Sequence, residues 1–156
     1  MTQTVTVGTS APPVAATTTV ATTVPPLGAE GKEVRDGNLA FTVTRATEDD
    51  SNPAGPAEVF VEISLRNVGN QAAEFNGGYQ RLIDIQGREF SVDKVLRFDN
   101  GETSSAAVLD LNPGLNANLI LRFEVPRNLE PAGVVLRESA SSPGVAVAIT
   151  LAFKAS

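Results

Sequence analysis

"DLNPGLNANLILRFEVP", residues 110–126, decides how this chain is read. Leu115, Ala117, Leu119, Leu121, Phe123 and Val125 are apolar, Asn116, Asn118, Arg122 and Glu124 are polar, and only Ile120 breaks the alternation. A period of two places successive side chains on opposite faces, which predicts a strand with one buried face. Just before it, Pro113 presets the first turn dihedral and Gly114 accepts the positive φ of a type II turn. The chain therefore reverses before the strand begins. Asp110 is expected to serve that corner by accepting backbone N–H groups, not to carry chemistry.

The same punctuation recurs on either side. "NLAFTVTRA" puts Leu39, Phe41 and Val43 on one face and Ala40, Thr42 and Thr44 on the other, after the turn "RDGN". "EVFVEISLRN" aligns Val59, Val61, Ile63 and Leu65 against Glu62, Ser64 and Arg66, with Phe60 ambiguous, and ends at the turn "NVGN". "YQRLIDIQGREFSVD" sets Leu82 and Asp84 opposite Ile83 and Ile85, then reverses at Gln86 and Gly87 into Phe90 and Val92, a predicted hairpin. Residues 93–109 are poorly patterned and read as a long loop or a short helix. "AGVVLRES" and "GVAVAITLAF" supply two more strands, the last aligning Val145, Val147, Ile149, Leu151 and Phe153. Seven or so strands at roughly ten-residue spacing predict an all-β fold, an immunoglobulin-like two-sheet antiparallel β-sandwich.

Residues 1–28 differ from everything after them. They carry no charge, hold nine of the fourteen threonines and include two Pro-Pro pairs. They have no basic start and no apolar run near the ~18–20 residues of a membrane span, and too few large side chains to offset the entropy of ordering. A disordered Thr/Pro-rich linker over residues 1–28, followed by a β-sandwich domain over 29–156, is the expected organisation.

Composition removes most familiar chemistries. There is no Cys, hence no disulfide, thiolate ligand or cysteine nucleophile, and no His, the commonest general base and zinc ligand. A net charge of -6 with scattered basic residues disfavours nucleic acid. No Trp and a single Tyr leave no stacking platform for sugars or bases.

"GKEVRDGNLAFTV", "VFVEISLRNVGNQAAEF", "LIDIQGREFSV", "LNPGLNANLILRFEVP" and "VVLRES" follow one another in an order that resembles a known family. It is the telokin-like, immunoglobulin-like extracellular domain family of unknown function from Gram-positive bacteria, the family of the mycobacterial immunoprotective extracellular protein. The shared features are a Gly-bearing turn before "FTV", a long strand ending in Asn and Gly, "GREF", the "LNPG" corner, the "FEVP" strand end and a late "LR" strand. All are sheet punctuation, so the resemblance implies a fold and brings no catalytic residues. It also implies an exported or surface-attached module behind a signal peptide or membrane helix and a low-complexity linker. Met1 before "TQTV" then reads as an added start.

Several acidic residues invite a chemical reading. Glu48, Asp49, Asp50 and Asn52 form the densest oxygen-rich loop, and calcium takes six to eight oxygens, but the EF-hand spacing is missing. Asp93, Asp99, Glu102 and Asp110 offer carboxylates for glycoside hydrolysis, without the aromatic floor of such a cleft. Lys94 with Ser91 or Ser104 suggests a Ser-Lys nucleophile that no surrounding motif supports. No catalytic, cofactor-binding or metal-binding residue and no cofactor is therefore assigned. The expected function is that of a non-catalytic exported or cell-surface module for protein interaction or envelope structure, a carboxylate-based hydrolase or calcium-dependent binder being the alternative. The expected partner is an unknown protein or cell-envelope component, with no nucleic acid and no membrane contact by the domain itself, and the domain is expected to be a monomer. The loops at 48–57 and 95–109 are where a partner would be sought.

Overall fold

A computed structural model describes residues 27–99, 102–105 and 108–153. The strands are β1 (Leu27–Ala29), β2 (Glu33–Asp36), β3 (Leu39–Asp49), β4 (Ala57–Asn67), β5 (Ala73–Asn76), β6 (Arg81–Asp84) and β7 (Glu89–Ser91). They continue with β8 (Lys94–Asp99), β9 (Glu102–Ser105), β10 (Val108–Leu111), β11 (Asn116–Val125), β12 (Pro131–Leu136), β13 (Val145–Ala148) and β14 (Ala152–Phe153). Between β5 and β6 lies one 3-10 turn, Gly77–Tyr79. The linker expected over residues 1–28 lies outside the described residues, except that Leu27 and Gly28 belong to β1.

One sheet runs β9-β8-β11-β4-β3-β14, with β2 also on β3, and the other runs β1-β13-β12-β6-β7. The short pair β10-β5 adds to the same core. Leu39, Phe41, Val59, Leu65, Leu121 and Phe123 of the larger sheet pack in one cluster with Leu82, Val134, Leu136 and Val147 of the smaller one and with Phe75 and Leu111. The all-β sandwich is thus the observed architecture. Its pairing is antiparallel except where β1 joins β13 and β14 joins β3 in parallel.

At the centre, β11 pairs with β4 over its whole length, from Asn116 opposite Arg66 to Val125 opposite Ala57. Its inner positions from Ala117 to Val125 are buried as the alternation requires. Leu115 is the exception. It lies in the corner before β11 and is 54% exposed, because the strand geometry that would turn it inward starts one residue later. The other edge of β11 takes β8, with Arg122 opposite Lys94 and Asn118 opposite Phe98. Within the expected loop or helix, residues 94–99, 102–105 and 108–109 are accordingly strand. They form the β8-β9 hairpin and the start of β10, because the open edge of a long central strand supplies a ladder that weak local patterning cannot announce.

The final apolar run is likewise divided. Val145–Ala148 belongs to the smaller sheet and Ala152–Phe153 to the larger, so one expected strand is two, joined by a crossing at residues 149–151. The Thr150 N–H is donated to the Glu30 carboxylate at 2.6 Å, which secures the crossing to the start of the domain. Sandwich corners are commonly built by strands that change sheets.

β3 carries a bulge. Val43 lies opposite Ile63 but Arg45 opposite Glu62, so one extra residue enters around Thr44, whose hydroxyl donates to the Glu62 carbonyl at 3.1 Å. An inserted residue reverses which parity faces inward. Leu39, Phe41 and Val43 are buried before the bulge, Ala46 and Glu48 after it.

Gly114 sits at φ +81° with nothing within 4 Å of where a Cβ would lie, so only the backbone demands glycine there. The carboxylate of Asp110 does not organise this corner. Asp110 is exposed on β10 opposite Glu74, and the hydrogen bonds come from Asn67 instead: its carbonyl accepts from Gly114 N at 3.0 Å and its N–H donates to Leu115 O at 3.1 Å. Gly114→Val is expected to lower stability by about 1–2 kcal/mol, the strain of a left-handed residue with a Cβ. Asp110→Asn is expected to change it by less than about 0.5 kcal/mol in urea melts, and a larger loss would return the carboxylate to the corner.

Candidate functional site

β3 ends, β4 begins and β11 ends on one side of the sandwich, so residues 49–56, Arg127 and the start of β12 gather there. The loop has a fixed internal structure. Asp49 Oδ1 accepts from Ser51 N at 3.0 Å, and Asn52 Oδ1 accepts from Ala54 N at 3.1 Å. Arg127 then reaches across from the end of β11: Nη1 donates to the carbonyls of Asn52 at 2.6 Å and Gly55 at 3.3 Å, and Nη2 to that of Asp50 at 2.7 Å. Three carbonyls that sequence offered to calcium are thus turned toward a guanidinium. Among the described residues no group of three or more acidic side chains converges as a metal site.

Beside the loop a cavity of about 210 Å³ is lined by Asp49, Asn52, Glu58, Arg122 and Glu124. Arg122 is its organiser, ion-paired to Glu58 through Nη2, to Asp93 at 2.8 Å through Nη1, and lying 3.8 Å from Glu124. Asp93 is therefore committed to an arginine. Of the other residues of the hydrolase reading, Asp99 and Glu102 are backbone partners in the β8-β9 register, and Asp110 is on β10. Ser91 is on β7 in the smaller sheet, Lys94 on β8 in the larger, and Ser104 is in register with Arg97 on β9. The Ser-Lys combination is dispersed.

A second cavity of about 350 Å³ opens at the same end, lined by Glu48, Ile85, Leu129, Glu130, Pro131, Ile149, Thr150 and Leu151. Its rim is tied across elements, since Ile85 N donates to Glu130 O at 2.9 Å. Glu48 faces it as the last inward side chain of β3. Burial, with Asp50 adding a like charge, raises the Glu48 pKa, and the Arg127 charge only partly opposes this. A raised carboxyl pKa means that the folded state holds the proton more tightly, so stability is lost as pH rises from the ordinary glutamate value of about 4.3 through the folded value. Glu48→Gln is therefore expected to gain on the parent as pH is raised from 4.5 to 7 in urea melts. An advantage that shrinks over that range would contradict the raised pKa.

Asp84, beneath the rim, behaves in the opposite sense. Burial alone would raise its pKa, but hydrogen bonds from Arg88 N at 2.8 Å, Arg88 Nε at 2.6 Å and Gln86 N at 3.0 Å outweigh it, and the net shift is downward. Its contribution is present above the ordinary aspartate value of about 3.9 and is lost as pH falls through the lowered one. Acid unfolding of Asp84→Asn should lack that component, and an unchanged acid limb would refute the assignment. With Leu82 and Asp84 inward, Ile83 is half-buried and Ile85 is 61% exposed.

At the opposite end, a depression of about 320 Å³ between Tyr79, Arg81 and Arg137 has its arginines on backbone carbonyls, Arg81 on Gly78 and Gln80, Arg137 on Tyr79. The inward Glu48, the cavity it faces and the Arg127 clamp on the neighbouring loop escaped sequence reasoning. The paired signal "TRATED", two polar residues where alternation requires one, was the available clue.

A family model described as a domain of unknown function (DUF4352) matches residues 29–145. The chain belongs to this family. No curated protein matches it. This DUF4352 domain is similar in fold to MPT63, a secreted protein of Mycobacterium tuberculosis, at 11% identity and a TM-score of 0.59, over 80% of this chain and 97% of that one. The yjhA protein of Bacillus subtilis is 12% identical with a TM-score of 0.56, over 79% and 99% of the two chains. An uncharacterized β-sandwich protein of Clostridium difficile is 7% identical with a TM-score of 0.52, over 81% and 95%. These likenesses carry the β-sandwich fold. No helix among the described residues is long and apolar enough to cross a membrane.

Proposed function

We propose that this DUF4352 domain is an exported, non-catalytic recognition module that presents the end formed by residues 49–56 to a partner protein. One observation carries the reading: Arg127 fixes that loop through three backbone carbonyls, so the surface is shaped before any partner arrives. Preorganisation of this kind lowers the ordering cost of binding. The commitment of Asp93 to Arg122 and the position of Asp110 on β10 support a non-catalytic reading, and the Thr/Pro-rich segment and the secreted protein of similar fold support export. Photo-crosslinking on intact cells of the native host tests it, with the reactive residue at Ser51 or, as a control at the far end, at Leu115. A surface adduct of defined mass from Ser51 and not from Leu115 is expected. Adducts from both positions alike, or from neither, would contradict the reading.

A further inference from the structure

The bulge at Thr44 brings Glu48 into a cavity that is otherwise built for apolar contact. Glu48 is 6% exposed, and among the described residues its carboxylate accepts no hydrogen bond and forms no ion pair. The side chain is largely buried while its carboxylate still opens to the cavity, and bulges characteristically re-aim side chains at functional sites. The surrounding walls are Leu129, Pro131, Ile149, Leu151 and the exposed Ile85 at the rim, while Glu130 adds a second acid and, among the described residues, no basic side chain lines the space. Of the charged groups around Glu48, Asp50 repels it, and Arg127 is spent on the carbonyls of the loop.

We infer that this cavity receives a lysine or arginine side chain presented by a partner protein, with the aliphatic stem against Leu129, Ile149 and Leu151 and the cationic head at the Glu48 carboxylate. Such side chains combine an apolar stem with a charged head, which is the pattern of this pocket. Its volume of about 350 Å³ lies at the small end of ligand cavities, enough for one side chain and too little for a folded element. The acid gains a counter-ion at a largely buried position, where charge complementarity sets specificity.

The inference rests on the recognition-module reading, and its test is separate from the cross-linking. The full chain is titrated by NMR with the capped tripeptide acetyl-Gly-Lys-Gly-amide, with the norleucine tripeptide of equal length and with n-butylamine. Shifts at Ile85, Leu129, Ile149 and Leu151 are expected with the lysine peptide at millimolar affinity, about tenfold weaker with norleucine, and about tenfold weaker in Glu48→Gln. A thermal midpoint of Glu48→Gln at or above the parent's at pH 7 shows that the variant is folded. Norleucine binding as well as lysine, insensitivity to Glu48→Gln, or no shifts at these residues would overturn the proposal. So would n-butylamine binding more tightly than the peptide, which would make the pocket a site for free amines. The same holds if the peptide binds only after Lys154→Ala, since a side chain of the chain itself would then be the occupant. Failure here with Ser51 cross-linking intact removes the pocket alone. Loss of cross-linking with peptide binding intact removes the module reading.

Discussion

Phe123→Ala is expected to destabilise the domain by about 3–5 kcal/mol, the range for emptying a well-packed aromatic site. Phe123 is fully buried on β11, the strand that pairs with both β4 and β8, and its ring belongs to the cluster that joins the two sheets. A cavity there cannot close by moving β11 without breaking two ladders. Since a domain of this size has about 5–15 kcal/mol to lose, the variant should be folded only marginally. Urea denaturation followed by tyrosine fluorescence and far-ultraviolet circular dichroism measures the loss. A value below about 1 kcal/mol would mean that the inner face of β11 is misassigned.

Asn67→Ala is expected to remove about 2–4 kcal/mol, because several buried backbone groups lose their partner together. Asn67 is 1% exposed at the end of β4. Its Nδ2 donates to Leu111 O at 2.9 Å and Gln71 O at 2.7 Å, and its Oδ1 accepts from Gly69 N at 2.8 Å. One side chain thus ties the end of β10, the turn after β4 and the corner that launches β11. Asn67→Asp is the sharper test. It preserves shape but replaces the two donated hydrogens with an acceptor aimed at carbonyls, so it should be at least as damaging as alanine. An aspartate variant as stable as the parent would show that the network is not what holds this corner.

Asn67 also shows where a sequence stops being legible. The strand after "LNPG" and its turn glycine were readable because φ preference and side-chain alternation are local. The partner that satisfies the corner lies 44 residues before Leu111, and nothing local distinguishes Asn67 from the other asparagines of turns, so Asp110 received the role by proximity. The bulge was hidden for a related reason. Thr44 and Arg45 are both compatible with a solvent-facing position, and only the register against Ile63 and Glu62 shows that one of them is extra. Missing it placed Glu48 in the acidic loop, when its side chain belongs to the interior. The 93–109 region failed differently: Lys94–Asp99 acquires its strand from the free edge of β11, a tertiary ladder that overrides weak intrinsic preference. Asp93 and Asp110, grouped by the sequence, are parted by the fold, since one pairs with Arg122 of the larger sheet and the other lies on β10 opposite Glu74.

If the 49–56 end is a recognition surface shaped in advance by Arg127, the yield of the Ser51 surface adduct must fall in Arg127→Ala relative to the parent. Removing the guanidinium frees the carbonyls of Asp50, Asn52 and Gly55 but leaves the core cluster untouched. Faster amide exchange confined to residues 51–55, a nearly unchanged urea midpoint and at least about a tenfold fall in adduct yield are expected, the last being the effect of losing roughly 1.4 kcal/mol of binding free energy. A loop loosened in this way that still gives the parental adduct yield would contradict the recognition reading.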